Sequence, residues 1–570
     1  MISPALSPVW VTHARADLER ARGLALELEC PLAVAAVLVN RGVETAGDAR
    51  RFLEPSVEDL HDPLLLLDLE PAMRRILRAA AEGERVLIYG DYDVDGITST
   101  FLLYSALAEM GAKVDYRIPH RTRDGYGLSC RAIEQAHQRG VGLVVTVDCG
   151  ITANEAVNLA STLGMDAVIT DHHEPPAELP AAVAVVDPRR PGCRYPFKQL
   201  AGVGVTYKLV EAMLQERGSR QRAQDFLDLV AIGTIADVVP LVGENRILAR
   251  AGLERLNRTS RLGLKALIEV AGLGERPITS GQVAFVLAPR LNAAGRMGNP
   301  EQGLRLLLAR DAGEARACAE SLEEDNMRRR QADEDALAEA SAQVEEELGW
   351  PECASILLWS ERWHPGVIGI VASRLVERYQ RPALLVALAG ERGRGSGRSL
   401  PGLDLNHLLS HCGDLVESYG GHALAAGLTV RRERLQELRE RFEGLVRERL
   451  TPADRVPRLV LDGEMRLSEC DVGLLEWLER MSPHGLDNPE PLFAAAGVTL
   501  ESVGTVGGGK HLKLRVRDAT GTAEAIGFGL GGRLPELPPG ATGDIAFVPT
   551  RNEWLGQTRV QLKLKDVRLR

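Results

Sequence analysis

The chain has 570 residues, 45% hydrophobic and 26% charged, an ordinary globular balance that is too long for one core, so three or four domains are expected. No apolar run reaches the ~18 residues of a membrane span, the N-terminus lacks a signal peptide's basic-then-apolar order, and the eight cysteines form no C-x-x-C pair, which suits a reducing cytosol and argues against a zinc–thiolate site. The net charge of −11 does not point to nucleic acid by itself, but residues 501–570 hold eleven Lys and Arg against seven Asp and Glu, an acidic body with a basic end.

Residues 1–80 read as a helical lead-in, with short helices expected at 31–40, 45–52 and 71–81 and no evident chemistry. From Glu84 the pattern turns to strand–helix repeats, the signal of a parallel sheet with crossover helices. Strands are expected at 86–89, 114–118, 143–147, 167–170 and 183–186. Four of the five lead at once to an acidic residue: Asp91, Asp148, Asp171 and Asp187. One aspartate at a strand end is commonly a helix cap. Four on one edge, one of them joined to His172-His173, point to a metal cluster.

The most informative stretch is Gly90-Asp91-Tyr92-Asp93-Val94-Asp95-Gly96. Three carboxylates alternate between an apolar strand and a helix that runs from Ile97 to Met110. Hard divalent cations take such oxygen ligands, and open α/β sheets bind at their carboxyl edge. An EF-hand also opens with D-x-D-x-D-G, but its bidentate Glu would fall on Leu102, and a strand rather than a helix precedes this loop. A merely structural turn is a poorer reading, because three close carboxylates repel one another without a cation. Asp171-His172-His173 adds imidazole, which suits Mn²⁺, Fe²⁺ or Zn²⁺, whereas carboxylates suit Mg²⁺ and Mn²⁺. The mixture leans to Mn²⁺, with Mg²⁺ as the alternative.

Farther on, Asp237 lies in the apolar stretch Gly233–Pro240 and needs a partner. Arg290-Leu291-Asn292-Ala293-Ala294-Gly295-Arg296 sets two arginines and an amide among small residues, a pattern that suits close approach of a phosphate. Glu314–Leu348 contains no Gly or Pro and reads as a long connector helix of ~50 Å. A second α/β unit follows, with strands expected at 355–359 and 383–387 around a helix at 367–379. Its glycine-rich stretches at 395–399 and 420–427, with Ser396, Arg398 and His422, read as a phosphate-cradling surface or as tight strand turns. Residues 456–570 alternate apolar and polar, with strands expected at 513–517, 523–528, 544–549 and 559–564. They resemble a small OB-like β-barrel. Lys510, Lys513, Arg515 and Arg517 would bind a polyanion there, and Phe528, Phe547 and Trp554 are the candidate stacking aromatics.

Taken together, the D-Y-D-V-D-G, V-D-C-G, T-D-H-H, G-T-I-A-D, Arg290–Arg296 and Gly420-Gly421-His422 motifs resemble, in this order and over nearly the whole chain, the DHH phosphoesterase superfamily and its RecJ family of single-strand-specific exonucleases. The resemblance implies an α/β fold: a parallel-sheet DHH lobe joined by a long helix to a second α/β lobe, with a C-terminal OB-like β-barrel. The implied domains are a lead-in at 1–80, the DHH catalytic domain at 81–310, the connector at 311–350, a DHH-associated substrate-binding domain at 351–450 and the barrel at 456–570. It also implies two divalent ions, Mn²⁺ or Mg²⁺, held by Asp93, Asp95, Asp148, His172 and Asp237, with Asp148 bridging. Asp91 would be an outer ligand or base, and His173 would contact the phosphate. Arg121, Arg123, Arg290, Arg296, Ser396, Arg398 and His422 would hold the strand and its 5′ end. The implied activity is 5′-to-3′ hydrolysis of single-stranded DNA in repair and recombination. The implied setting is the cytoplasm, with a helicase or single-strand-binding protein as partner and no membrane. Two alternatives stay open: an oligonucleotide or cyclic-dinucleotide phosphodiesterase, and an inactive DNA-binding scaffold.

Overall fold

The structure, a computed structural model, describes residues 7–13, 17–120, 125, 127–274, 276–554 and 557–570. Arg121 and Arg123 lie outside the described residues, as does the side chain of Trp554. The chain divides into two compact units, residues 12–323 with 460–570 and residues 1–11 with 324–459. Among the described residues no single helix is long and apolar enough to cross a membrane.

In the larger unit, β1 (Arg85–Tyr89), β2 (Lys113–Arg117), β3 (Leu143–Val147), β4 (Asp166–Thr170) and β5 (Ala184–Val186) form a parallel sheet in the order β2-β1-β3-β4-β5. The inner strands are continuous apolar runs, as parallel strands covered on both faces must be. Polar residues alternate only along the edge strand β2. From β1 the chain steps to β2 on one side and then returns to β3 on the other. The loop after β1 therefore opens at a topological switch point, where such sheets receive ligands. Helix α1 (Val94–Glu109) follows that loop and is capped by Asp93, which accepts from the Gly96 N–H at 3.1 Å. It packs against α2 (Gly202–Glu216) and α3 (Leu227–Ala236). The Arg290–Arg296 stretch lies on α4 (Ala288–Met297).

The expected connector is one unbroken helix, α5 (Ala312–Glu346). Its Ala315, Ala319 and Leu322 belong to the core of the larger unit, and its Ala336, Ala340 and Val344 to that of the smaller. The smaller unit holds β6 (Ile356–Ser360), α6 (Ile368–Tyr379), β7 (Ala383–Ala389), β8 (Arg392–Arg398), β9 (Ser418–Gly421) and β10 (Ala425–Arg431). The sheet order is β9-β10-β8-β7-β6, antiparallel except between β6 and β7. The glycine-rich stretches are therefore largely strand, not loop. A Cβ on Gly395 would lie 2.8 Å from Leu428, and one on Gly397 would lie 2.7 Å from Leu405. Glycine is a packing requirement there, because neighbouring side chains fill the space a Cβ would occupy.

The C-terminal sheet holds β11 (Gly463–Glu464), which stays outside the barrel, and β12 (Phe493–Val506), β13 (His511–Arg517), β14 (Thr522–Gly527), β15 (Thr542–Trp554) and β16 (Gln557–Leu569). They run in the order β11-β12-β13-β14-β16-β15, and pairing of β12 with β15 closes a five-stranded barrel. The sequence pattern misses β12. Its Phe-Ala-Ala-Ala-Gly start offers little alternation, and a bulge between Leu500 and Ser502 shifts the register.

The lead-in is not a body of its own. Helices Leu18–Leu28, Leu32–Asn40 and Ala46–Leu53 put Leu24, Leu38 and Leu53 into one core with Leu514, Phe547 and Leu562 of the barrel. Arg41 pairs with Asp462 at 3.0 Å, and both side chains are only 5% exposed. Arg246, 2% exposed, donates to the carbonyls of Phe52, Met481 and Arg480 at 2.9, 2.7 and 3.0 Å. One cation thus ties the catalytic domain, the lead-in and the approach to the barrel. Replacing Arg246 by Met would remove the charged donor from all three, leaving the Met481 carbonyl to Asn488 and the Arg480 carbonyl to Arg250. It is expected to cost about 3 kcal/mol or more in urea unfolding, and unchanged stability would show that the tie contributes nothing.

Candidate metal centre

Seven of the predicted residues meet at the carboxyl edge of the first sheet. Asp91 and Asp93 come from the loop after β1, Asp95 from the first turn of α1 and Asp148 from the end of β3. His172 and His173 follow β4, and Asp237 sits at the C-terminal end of α3. Three sets of ligand atoms each lie within 4.8 Å of one another: Asp91, Asp93 and Asp148; Asp95, His172 and Asp237; and Asp148, His172 and His173. Asp148 and His172 each belong to two sets. His172 Nε2 stands 3.2 Å from Asp148, 3.6 Å from Asp237 and 3.9 Å from Asp95. Beside the cluster opens a cavity of about 300 Å³, lined among others by Asp91, Asp93, His173, Asp237, Asn292 and Arg296.

The backbone is bent to this purpose. Asp148 has φ +59° and Val238, next to Asp237, has φ +61°. Left-handed backbone is uncommon for Asp and an outlier for a β-branched residue, and such strain gathers at functional sites. Asp95 accepts the N–H groups of Gly202 and Val203, both at 2.7 Å, from the start of α2. A side chain at Gly202 would collide with Asp148, so α2 approaches both carboxylates at once. Asn292 accepts the Val94 N–H at 3.1 Å and pins α4 to the first turn of α1. Asn292 is the amide the sequence marks between two arginines, whereas Gly202 and Val203 carry no such mark. The nearest signal was Ala-Gly-Val-Gly-Val at 201–205, two glycines in an apolar helix start.

Two of the four strand-end aspartates do not join the cluster. Asp171 accepts from the N–H groups of Ile151, His172 and His173 and contacts His173 Nδ1 at 2.7 Å. It shapes the loop and orients His173. Asp187 accepts from the Arg189 N–H at 2.7 Å and belongs to none of the three ligand sets. Arg290 also departs from expectation. Its guanidinium meets Glu323 at 2.5 Å and the Val286 carbonyl at 2.7 Å, and it does not line the cavity, whereas Arg296 does.

In the smaller unit, Ser396 and Arg398 share one face of β8, and their side chains come within 3.4 Å. Gly369 on α6 makes room for both, since a Cβ there would lie 2.8 Å from Ser396 Oγ and 3.2 Å from Arg398. His422, exposed between β9 and β10, lies at the same end of the sheet, where Ser399 N–H donates to Leu424 at 3.0 Å. On the barrel, Lys513 faces Glu524 at 3.6 Å, while Arg515 and Arg517 share Glu501 at 3.3 and 2.7 Å. The basic cluster is therefore largely neutralised. Phe547 is buried in the barrel core, whereas Phe528 is 58% exposed.

Burial and mutual repulsion dominate the electrostatics. Burial, then Asp93, raises Asp95 to about 7 against the pull of the Val203 and Gly202 amides. Burial, followed by the neighbouring aspartates, pushes Asp148 and Asp237 well above the usual carboxylate range. His172 falls to about 3 through burial and then the neighbouring His173, so its ring is neutral, as a metal ligand must be. His173 rises to about 9, because Asp171 and the other carboxylates outweigh its burial. Buried Asp148 Oδ1 and both ring nitrogens of His172 accept or donate no hydrogen bond among the described residues. Clustered, unmatched oxygen and nitrogen donors around a cavity fit hard or borderline divalent cations.

These shifts have a sign. Asp95 ionises near 3.8 when unfolded and near 7 when folded, and His173 moves from 6.5 to about 9. Both raised values mean stability lost as pH rises. The opposing contribution of His172 ends near 6.5, its unfolded value. Metal-free protein should therefore melt at lower temperature as pH rises from about 6.5 to 8. Saturating Mn²⁺ should abolish that loss and release protons on binding. Calorimetry at several pH values checks both, and a flat metal-free profile would count against the repulsive cluster.

Comparison with known proteins agrees with this geometry. Residues 85–234 match the model of the DHH family N-terminal domain, 353–448 the DHHA1 domain and 461–566 the RecJ OB domain. The chain is 40% identical over 555 residues to the single-stranded-DNA-specific exonuclease RecJ of Bacillus subtilis (strain 168), spanning 97% of this chain and 70% of that one. It is 35% identical over 563 residues to the Escherichia coli (strain K12) protein of the same name, spanning 95% and 96%. The crystal structure of RecJ in complex with Mn²⁺ from Thermus thermophilus superposes with a TM-score of 0.85 at 32% identity, spanning 98% of this chain and 79% of that one. The chain belongs to the RecJ family of single-stranded-DNA-specific exonucleases.

Proposed function

We propose that the chain is a metal-dependent exodeoxyribonuclease that degrades single-stranded DNA from its 5′ end. The observation that carries this reading is the pair Asp148 and His172, each shared between ligand sets beside one cavity. Asp93, Asp95, Asp148, His172 and Asp237 would hold two divalent ions, Mn²⁺ or Mg²⁺, with Asp148 between them. Such ions neutralise the phosphodiester, lower the pKa of a water and stabilise the leaving oxygen.

The chain's own residues supply the rest. Asp171 holds His173 through Nδ1 and orients its ring, and His173 contacts a phosphate oxygen. Asp91 is an outer ligand or base. Arg296 draws the strand into the cavity, and Ser396, Arg398 and His422 hold its backbone and 5′ end. In domain terms we assign 81–310 to catalysis, 311–350 to the connector, 351–450 to substrate binding and 456–570, with helices 18–53, to the barrel. DNA repair and recombination in the cytoplasm, beside a helicase or a single-strand-binding protein, is the setting this activity suits.

Replacing Asp148 by Asn is expected to lower kcat by about 10²-fold or more, since losses of that order follow removal of a central catalytic group. Asp91→Asn should lose less. Release of nucleotides from a 5′-tailed duplex, a blunt duplex and a dinucleotide is the measurement. Equal losses in the two variants would remove the bridging role. Full activity in excess chelator after metal removal would sink metal dependence, and a preference for the dinucleotide would favour the oligonucleotide phosphodiesterase instead.

A further inference from the structure

We propose that Lys208 and Glu244, with Asn245 beside them, are positioning residues that fix where the start of α2 stands relative to Asp237, and so set the spacing of the metal ligands. The inference rests on the metal reading above. None of the three belongs to the ligand sets, yet both sides of their network lead to the cluster. On one side is α2. Its first amides hold Asp95, and a Cβ on Gly202 would lie 2.4 Å from Asp148 Oδ1. On the other side is the short segment from Asp237 to Glu244, which begins with the left-handed Val238.

All three side chains are buried. Lys208 Nζ stands 2.9 Å from Glu244 Oε1 and donates to the His61 carbonyl at 2.8 Å. Glu244 also accepts the His61 N–H at 2.9 Å and the Tyr195 hydroxyl at 2.6 Å. Asn245 donates through Nδ2 to the carbonyls of Gln199 at 2.5 Å and Pro240 at 3.1 Å. Gln199 leads into α2, and Pro240 leads away from Asp237. One amide therefore spans the two segments that bound the cluster, and the ion pair spans them again one residue earlier.

A buried ion pair contributes little net stability, because burial of the two charges offsets most of their attraction, and apolar pairs of equal volume often do as well. What it supplies here is direction. Apolar neighbours press α2 into its seat but tolerate sliding and rotation, whereas Lys208 Nζ must meet Glu244 and the His61 carbonyl together. Val203 passes that register to α3. A Cβ on Gly233 would lie 2.8 Å from Val203 Cγ1, so the two helices touch one turn before Asp237. A slip of α2 thus shifts Asp95, Asp148 and Asp237 relative to one another.

The test uses the full chain and reads two quantities: the urea midpoint without metal, and the Mn²⁺ affinity of the folded protein, followed by the EPR signal of free Mn²⁺. Lys208→Met alone leaves Glu244 buried and unpaired and is expected to lower the urea midpoint. The double variant Lys208→Met, Glu244→Gln removes both charges and is expected to restore most of it. Mn²⁺ affinity is nevertheless expected to fall about tenfold in the double variant and in Asn245→Ala. The control is Arg75→Met, which breaks pairs with Glu84 and Asp166 at the opposite edge of the sheet. It loses stability and keeps the wild-type Mn²⁺ affinity. Wild-type Mn²⁺ affinity in the double variant would overturn the positioning role. So would an equal fall in Arg75→Met, which would mark any loosening of the fold as sufficient. If the double variant does not fold, Asn245→Ala decides on the same terms. A wild-type chain that binds no Mn²⁺ would overturn the metal reading itself.

Discussion

The structure depends on like charge held close. Asp91, Asp95 and Asp148 are buried and Asp93 and Asp237 half-buried where the five converge. His173 carries a proton, but Asp171 holds it, and His172 is kept neutral. Without a divalent ion the buried carboxylates keep protons that aqueous aspartates would lose. The fold must therefore supply rigidity from elsewhere. It does so with the switch point after β1, with the N-terminus of α2 against Asp95, and with left-handed backbone at Asp148 and Val238. Strained backbone is unfavourable alone; at Asp148 it is buried at the end of the sheet, and at Val238 it is exposed beside Asp237.

A second constraint joins distant parts of the sequence. The first fifty residues and the last hundred build one core, and Arg246 reaches across to both from the catalytic domain. The barrel and the lead-in are thus not separable bodies. Loss of the barrel would expose Leu24, Leu38 and Leu53 together.

Much of this was legible in the sequence, for identifiable reasons. The five parallel strands are continuous apolar runs, and the carboxylates follow them at once, so the strand ends and the ligand candidates appear together. The long helix is marked by the absence of Gly and Pro. What could not be read depends on partners remote in sequence. Asp171 looks like a ligand until the amides of Ile151, His172 and His173 are seen around it. Arg290 looks like Arg296 until Glu323 is found beside it. The glycines of β8 look like a phosphate-cradling surface or tight turns because the side chains that exclude a Cβ, Leu405 and Leu428, lie on other elements. Lys513, Arg515 and Arg517 read as free charge because register, not spacing, sets Glu501 and Glu524 beside them.

The start of α2 has a further consequence. Its first amides grip Asp95, while the bare backbone of Gly202 rests on Asp148, so the helix works as a gauge block between two carboxylates. The separation of those carboxylates is then inherited from how deeply the helix sits, which Val205, Tyr207 and Leu209 decide far from the chemistry. Mg²⁺ insists on short, near-octahedral bonds, and Mn²⁺ also accepts imidazole readily. The hydrophobic seat of a helix therefore sets the carboxylate spacing that either ion would have to fit.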